Sequence, residues 1–310
     1  MEFFRKQTHI DFMSQRKRAA VLSAVLLTIA IASLIFRGLN FGIDFTGGVL
    51  LEVGYPQSAE LSEIRSELAE AGFGDAVVQN FGTARDVMIR IMPREDQESA
   101  VLGNQIMGVL QAANPAVELR RIEFVGPQVG SELAEQGALA LLFTLMLVMA
   151  YIIFRFQWKF AVGAVVALVH DVILVIGAFS IFGWTFDLAI LAAILAVIGY
   201  SLNDTIVVFD RIRENFRRVR RGTPVEIVNL SINHTLSRTI MTSVATLLVL
   251  LALLFFGGEA LWGFSMALTL GIVIGTYSSV YTASAVAVAL NVTPADLQPP
   301  KQEDEVEEAP

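Results

Sequence analysis

Residues 188–209 read LAILAAILAVIGYSLNDTIVVF. The run is apolar and long enough to cross a bilayer, which takes about 20 residues of helix. It nevertheless carries Asn203 and Asp204. A charge at a membrane helix centre costs about 2.5–3.5 kcal/mol on insertion scales. Chains keep such residues for ion or proton pathways, or for buried polar packing. Asp204 is therefore the strongest pointer to function, and the run that holds it sets the class of the whole molecule.

The rest of the composition agrees. Of 310 residues, 55% are hydrophobic and only 17% charged, which excludes a simple soluble domain. The net charge of −8 averages over compartments, and the acidic residues within 303–308 supply much of it. Cysteine is absent, which excludes disulfides, iron–sulfur clusters and thiol catalysis. His9, His170 and His234 are too scattered to suggest a metal site. Neither a phosphate-binding P-loop nor a dinucleotide-binding glycine fingerprint occurs. The chain reads as a non-enzyme without a cofactor.

Hydropathy marks six spans, at 19–36, 137–154, 160–182, 188–209, 236–256 and 262–290. Arg16, Lys17 and Arg18 before the first would suit a signal peptide. Its apolar run is long for one, however, and Arg37-Gly38 follows in place of a small-residue cleavage site, so it reads as a retained helix. The basic residues before span one, Arg155 and Lys159 after span two, and Arg211, Arg213, Arg217, Arg218, Arg220 and Arg221 after span four all fall on one side. The positive-inside rule then makes both termini, 1–18 and 292–310, cytoplasmic. The loop 37–136 falls outside.

That loop reads as a domain. Strands are expected at 49–55, 76–81, 86–92 and 117–124, and helices at 59–71 (with Ser58 as N-cap) and 99–112. The order β-α-β-β-α-β fits a ferredoxin-like sandwich. Residues 137–291 form a five-helix membrane domain interrupted by the basic loop 210–235. In that loop, Ile212, Phe216 and Val219 suggest an amphipathic helix on the headgroups, and Thr223-Pro-Val-Glu226 a capping box. The acidic tail reads as disordered.

Antiparallel neighbours would bring Asp204 and Arg238 to similar depth. Such a pair, lined by Ser201, Thr205 and Thr242, would hold a proton-dependent charge. The competing readings are a static ion pair for Asp204 and an interfacial anchor for Arg238. Asp171, near mid-membrane, lies on a face with Gly163 and Ala167. It reads equally as a second relay station or a packing residue; His170 beside it is expected to point elsewhere. Gly271 and Gly275 read as a helix-packing face. Gly42, Asp44, Gly47 and Gly48 read as a structural lead from the first span into the first strand.

Five stretches together resemble the SecF family of bacterial protein-export subunits: GLNFGIDFTGG at 38–48, FVGPQVG at 124–130, ALVHDV at 167–172, GYSLNDTIVVFDRIREN at 199–215 and LSRTIMTS at 236–243. They appear in family order over most of the chain. The resemblance implies an inner-membrane subunit that pairs with SecD in a twelve-helix bundle like that of resistance-nodulation-division exporters. It implies use of the proton-motive force to help preproteins through the SecYEG channel, with Asp204 and Arg238 in the proton pathway. It adds less to the reading of Asp171, and Asn203 joins the candidate pathway as the neighbour of Asp204. YajC and YidC are further candidate partners, membrane lipids surround the bundle, and no nucleic acid is involved. The alternatives are a proton-coupled exporter of small molecules or lipids, and a passive scaffold.

Overall fold

The computed structural model describes residues 8–93, 99–219 and 222–292. The acidic tail beyond Val292, and the basic residues Arg5, Lys6, Arg220 and Arg221, lie outside these. Within them, six helical segments are long and apolar enough to cross a membrane, and the chain is a polytopic helical membrane protein. After a short turn from Met13, α1 spans Arg16–Phe36. The later spans are α5 (Pro127–Arg155), α6 (Trp158–Phe182), α7 (Leu188–Arg218), α8 (Pro224–Phe256) and α9 (Glu259–Ser278). A five-residue π-helical stretch, Ser279–Ala283, links α9 to α10 (Ser284–Ala289).

Between α1 and α5 lie β1 (Asn40–Phe41), α2 (Ile43–Thr46), β2 (Gly48–Gly54), α3 (Leu61–Glu70), β3 (Val77–Phe81), β4 (Thr83–Ile91), α4 (Ser99–Ala113) and β5 (Glu118–Val125). The four longer strands form one antiparallel sheet in the order β3-β4-β2-β5. Alternation along the strands sends Val49, Leu51, Val53, Ile89 and Ile91 into a core with Ile64 and Leu68 of α3 and Leu102 and Ile106 of α4. The opposite sheet face, with Leu50, Glu52, Met88, Arg121 and Glu123, borders a cleft of about 480 Å³ whose other wall is the turn between α6 and α7 and the start of α9.

The glycine-rich stretch after α1 is a joint. β1 pairs in parallel with β6 (Thr185–Phe186) in the turn between α6 and α7. Asp44 accepts a hydrogen bond from the Leu188 backbone at 3.0 Å, next to Asp187, which caps α7 through Ile190 at 3.0 Å. Gly48 has φ +121°, and a Cβ there would lie 2.3 Å from the Ile91 carbonyl oxygen. Gly47 has φ +69°, and a Cβ on Gly130 of α5 would lie 2.7 Å from its nitrogen. Gly42, in ordinary extended geometry, donates its N–H to Phe186 at 2.8 Å. The joint thus ties the end of α1 to the starts of α5 and α7.

Inside the bundle, small residues set the spacing. A Cβ at Gly271 would meet Val197 Cγ2 at 2.1 Å, and one at Gly275 would meet Ser201 Cβ at 3.0 Å, so α9 lies tight against α7. Gly177 does the same for α6 against Ala30 of α1.

Several expectations change. Helix α3 is capped at Glu60 rather than Ser58, with no side-chain cap bond. Helices α5, α7 and α8 extend well past their apolar runs, because hydropathy marks the bilayer and not the helix. Ile212 and Phe216 do not face headgroups: they are buried against Met13, Ile227, Val228 and Ile232, so the arginine-rich segment continues α7 as half of an intramolecular pair. The capping box is formed, with Thr223 and Glu226 exchanging hydrogen bonds at 3.3 and 2.8 Å.

Candidate functional site: a two-acid polar layer in the bundle

Helix α7 carries Asp204 toward α8 and the π-helical stretch. The carboxylate is 7% exposed. Thr239 of α8 donates to Oδ1 at 2.5 Å, and Ser279 donates to Oδ2 at 2.6 Å. These lengths are those of hydroxyls on an ionised carboxylate, with both oxygens accepting. Adding a proton turns one acceptor into a donor, so one hydroxyl must turn away. Ser279 has another acceptor in reach, the Thr276 carbonyl at 3.1 Å.

Asp171 of α6 is the second acid, 1% exposed. Its Oδ2 accepts from Ser201 at 2.6 Å and from Ser278 at 2.7 Å, and its Oδ1 lies 2.9 Å from His170 Nδ1. His170 therefore does not point away. A 100° step between neighbours on a helix separates their faces, yet the imidazole is long enough to turn back onto the adjacent carboxylate.

The two acids meet at the π-helical stretch. Ser278 serves Asp171 and Ser279, the next residue, serves Asp204. The widened turn is fixed by the Ser284 hydroxyl, which bonds the Ser279 carbonyl five residues back at 3.1 Å. Such π-helical turns concentrate at functional sites. Ser201 sits one turn before Asp204 on α7, so α7 also touches both acids. Gly275 leaves the room: a Cβ there would lie 3.1 Å from Ser201 Oγ and 3.5 Å from Asp171 Oδ2.

Arg238 makes no ion pair with Asp204 among the described residues. The contact belongs to Thr239, one position on, while Arg238 and Thr242 are exposed. Asn203 is exposed too. Because α7 and α8 run antiparallel, stepping back one residue from Asp204 and from Thr239 turns both side chains to the same flank. Asn203 and Arg238 thus share a flank where α7 also exposes Ala196 and Gly199.

Sequence reasoning located the acids but missed their partners Thr239, Ser279 and His170. Consecutive serines at 278 and 279 in an apolar span were the one available signal.

Known proteins resemble this chain over nearly all of its length. Residues 105–293 match the family described as "Protein export membrane protein SecD/SecF, C-terminal", and residues 32–59 match the "SecD/SecF GG Motif". The chain is 54% identical to protein translocase subunit SecF of Pseudomonas aeruginosa, over 97% of this chain and 98% of that protein. It is 51% identical to the subunit of the same name from Vibrio alginolyticus, over 98% and 97%. The solved structure of SecDF, a translocon-associated membrane protein from Thermus thermophilus, superposes with a TM-score of 0.82 at 38% identity. That match covers 93% of this chain and 39% of the SecDF chain.

Proposed function

Since the chain belongs to the SecD/SecF protein-export membrane family and is a SecF-type subunit of the protein translocase, we propose that it couples the proton-motive force to preprotein movement through the two-acid layer. Protons pass by Asp204, with Arg238, Asn203 and Asp171 as members of the same pathway. The observation that carries this is the Asp204 carboxylate, buried inside a membrane bundle and held by hydroxyls from two helical segments, one of which, Ser279, has a second acceptor in reach. A static packing acid does not need a donor with an alternative acceptor. Moving one charge across 100 mV supplies about 2.3 kcal/mol, the same scale as holding a charged acid in the membrane.

The proposal includes a SecD-type partner on the flank of Asn203 and Arg238. An arginine on a membrane-facing helix needs an anion or a polar cover, and Gly199 and Ala196 allow a second helix to approach closely. The six spans are then half of a resistance-nodulation-division-like bundle in the bacterial inner membrane, with both termini cytoplasmic. The sheet domain lies outside as a ferredoxin-like module, supported by its strand order and its two covering helices. Together the pair assists preproteins passing through SecYEG. The charged lining of the cleft, with Asp44, Glu52, Arg121, Glu123, Asp187 and Glu259, does not suit a small apolar cargo.

The test is Asp204→Asn in cells whose export depends on this chain. Release of a secretory protein across the inner membrane is followed with and without the proton-motive force, alongside subunit level and SecD association. The expected result is loss of the force-dependent part of export with assembly intact. Unchanged export overturns the proposal.

A further inference from the structure

The polar layer continues past Asp171 toward α1. His170 Nδ1 faces Asp171 Oδ1 at 2.9 Å, and the other ring nitrogen, Nε2, lies 3.1 Å from Ser23 Oγ on α1. Ser23 Oγ lies 3.0 Å from the Tyr277 hydroxyl, which donates to the Ala19 carbonyl at 2.8 Å. The Tyr277 ring also stacks on the imidazole, with centroids 6.2 Å apart. Asp171, His170 and Ser23 are buried, whereas Tyr277 is half-buried. Ala19 is in the first turn of α1, directly after Arg16, Lys17 and Arg18. A line of groups, each in hydrogen-bond reach of the next, thus runs from Asp171 to the basic end of the bundle.

We propose that His170 is a proton-relay residue, and that Asp171, His170, Ser23 and Tyr277 form the inner leg of the proton path. This rests on the proton-coupling reading of Asp204. The chemistry suits an imidazole. A protonated Asp171 gives its proton to Nδ1, which becomes N–H, and the ring releases its Nε2 proton to Ser23 Oγ. As the serine oxygen takes that proton, its own hydrogen passes to the Tyr277 oxygen. Tyr277 gives its hydrogen to a solvent water on the side of Ala19, whose carbonyl accepts a hydrogen bond but cannot carry a proton onward. His170, Ser23 and Tyr277 each end with as many protons as they began, Asp171 is left ionised until it takes the next proton, and the ring resets by exchanging tautomers. A histidine kept only as a brace between α6 and α1 needs just one of these bonds.

The titratable groups around the imidazole are few among the described residues. On its own helix it meets Asp171. From α9 it meets Tyr277, with Tyr281 of the π-helical stretch beyond, the two rings 5.3 Å apart. Asp204 of α7 is held by Ser279, the residue after the Ser278 that holds Asp171, and Arg238 of α8 precedes its other partner, Thr239. Helix α1 presents Ser23, and its basic residues stand at the exit.

The experiment is proton flux into vesicles containing the full complex of this chain with its SecD-type partner, driven by an imposed pH gradient. His170→Gln keeps one hydrogen bond but cannot pass a proton through a ring. Its flux is expected to fall about 10²-fold or more, the scale lost with a general acid–base group. Tyr277→Phe, which removes only the outer hydroxyl, is expected to lower flux while assembly stays normal, and it decides the matter if His170→Gln fails to assemble. In His170→Ala, added imidazole is expected to restore part of the flux, which bracing alone does not provide. Full flux in His170→Gln, with flux lost in Asp204→Asn, overturns this inference and leaves the proposed function standing. Full flux in Asp204→Asn overturns both.

Discussion

A carboxylate in a bilayer must be solvated by the protein, and the two acids achieve this differently. Asp204 has two hydroxyl donors, and Asp171 has two hydroxyls and an imidazole. Removing one donor from a buried acceptor costs about 1–3 kcal/mol. Thr239→Val is therefore expected to lower the unfolding temperature of the purified complex, and Ser279→Ala to do the same. The two together should fall short of the sum, because both act on one carboxylate. A double-mutant cycle read by thermal unfolding checks this. At this scale Asp204 was legible in the sequence, since a charge stands out in an apolar run. Its partners were not: serine and threonine are ordinary in membrane helices, and the azimuth of α8 that selects Thr239 over Arg238 is fixed only by packing. His170 was misread because helical periodicity gives the direction of Cβ, not the reach of a ring.

At the scale of elements, the joint after α1 makes a sharp prediction. Gly48→Ala combines a positive φ with a Cβ 2.3 Å from the Ile91 oxygen. Strain at such a position is of order 1–3 kcal/mol before the clash is counted. The expected outcome is faster hydrogen exchange along β2 and β4, where Val49 pairs with Ile91. The same sheet carries a pH effect. Burial pushes the Glu52 carboxyl above its usual 4.5, Arg121 at 3.6 Å opposes this, and Glu123 adds to it. The folded state then holds the proton more tightly than the unfolded chain. Glu52's stabilising contribution is complete below 4.5 and is lost as pH rises through the higher folded value. Glu52→Gln is thus expected to slow exchange in β2 at neutral pH and to shrink the gain seen on acidification. Equal pH responses in the two proteins would contradict this. The order of strands and helices was readable from period and punctuation. Helix ends were not, since the polar turns 127–136 and 210–218 lie beyond any hydropathy signal. The break in the last span comes from a tertiary demand, the delivery of two neighbouring serines to two helices.

At the scale of the whole molecule, the described chain leaves a polar flank uncovered, with Asn203 and Arg238 exposed beside Gly199 and Ala196. A bulky residue there should separate the proposed partner while leaving the internal acid layer intact. Gly199→Leu is expected to reduce co-purification of the SecD-type subunit without lowering the level of this chain; unchanged co-purification would place the partner elsewhere. Six spans and their charge bias were legible because bilayer thickness and loop charge act on the chain one segment at a time. The partner face was not, as it depends on which flank the other five spans leave open.

Coupling requires Asp204 to take up and release a proton as the gradient across the membrane changes. Infrared difference spectroscopy on the reconstituted complex tests it directly, by following the carboxylic acid carbonyl band while one side of the membrane is acidified. The expected band grows on acidification, reverses when the gradient collapses, and is missing in Asp204→Asn. Identical difference spectra from the two proteins would contradict it.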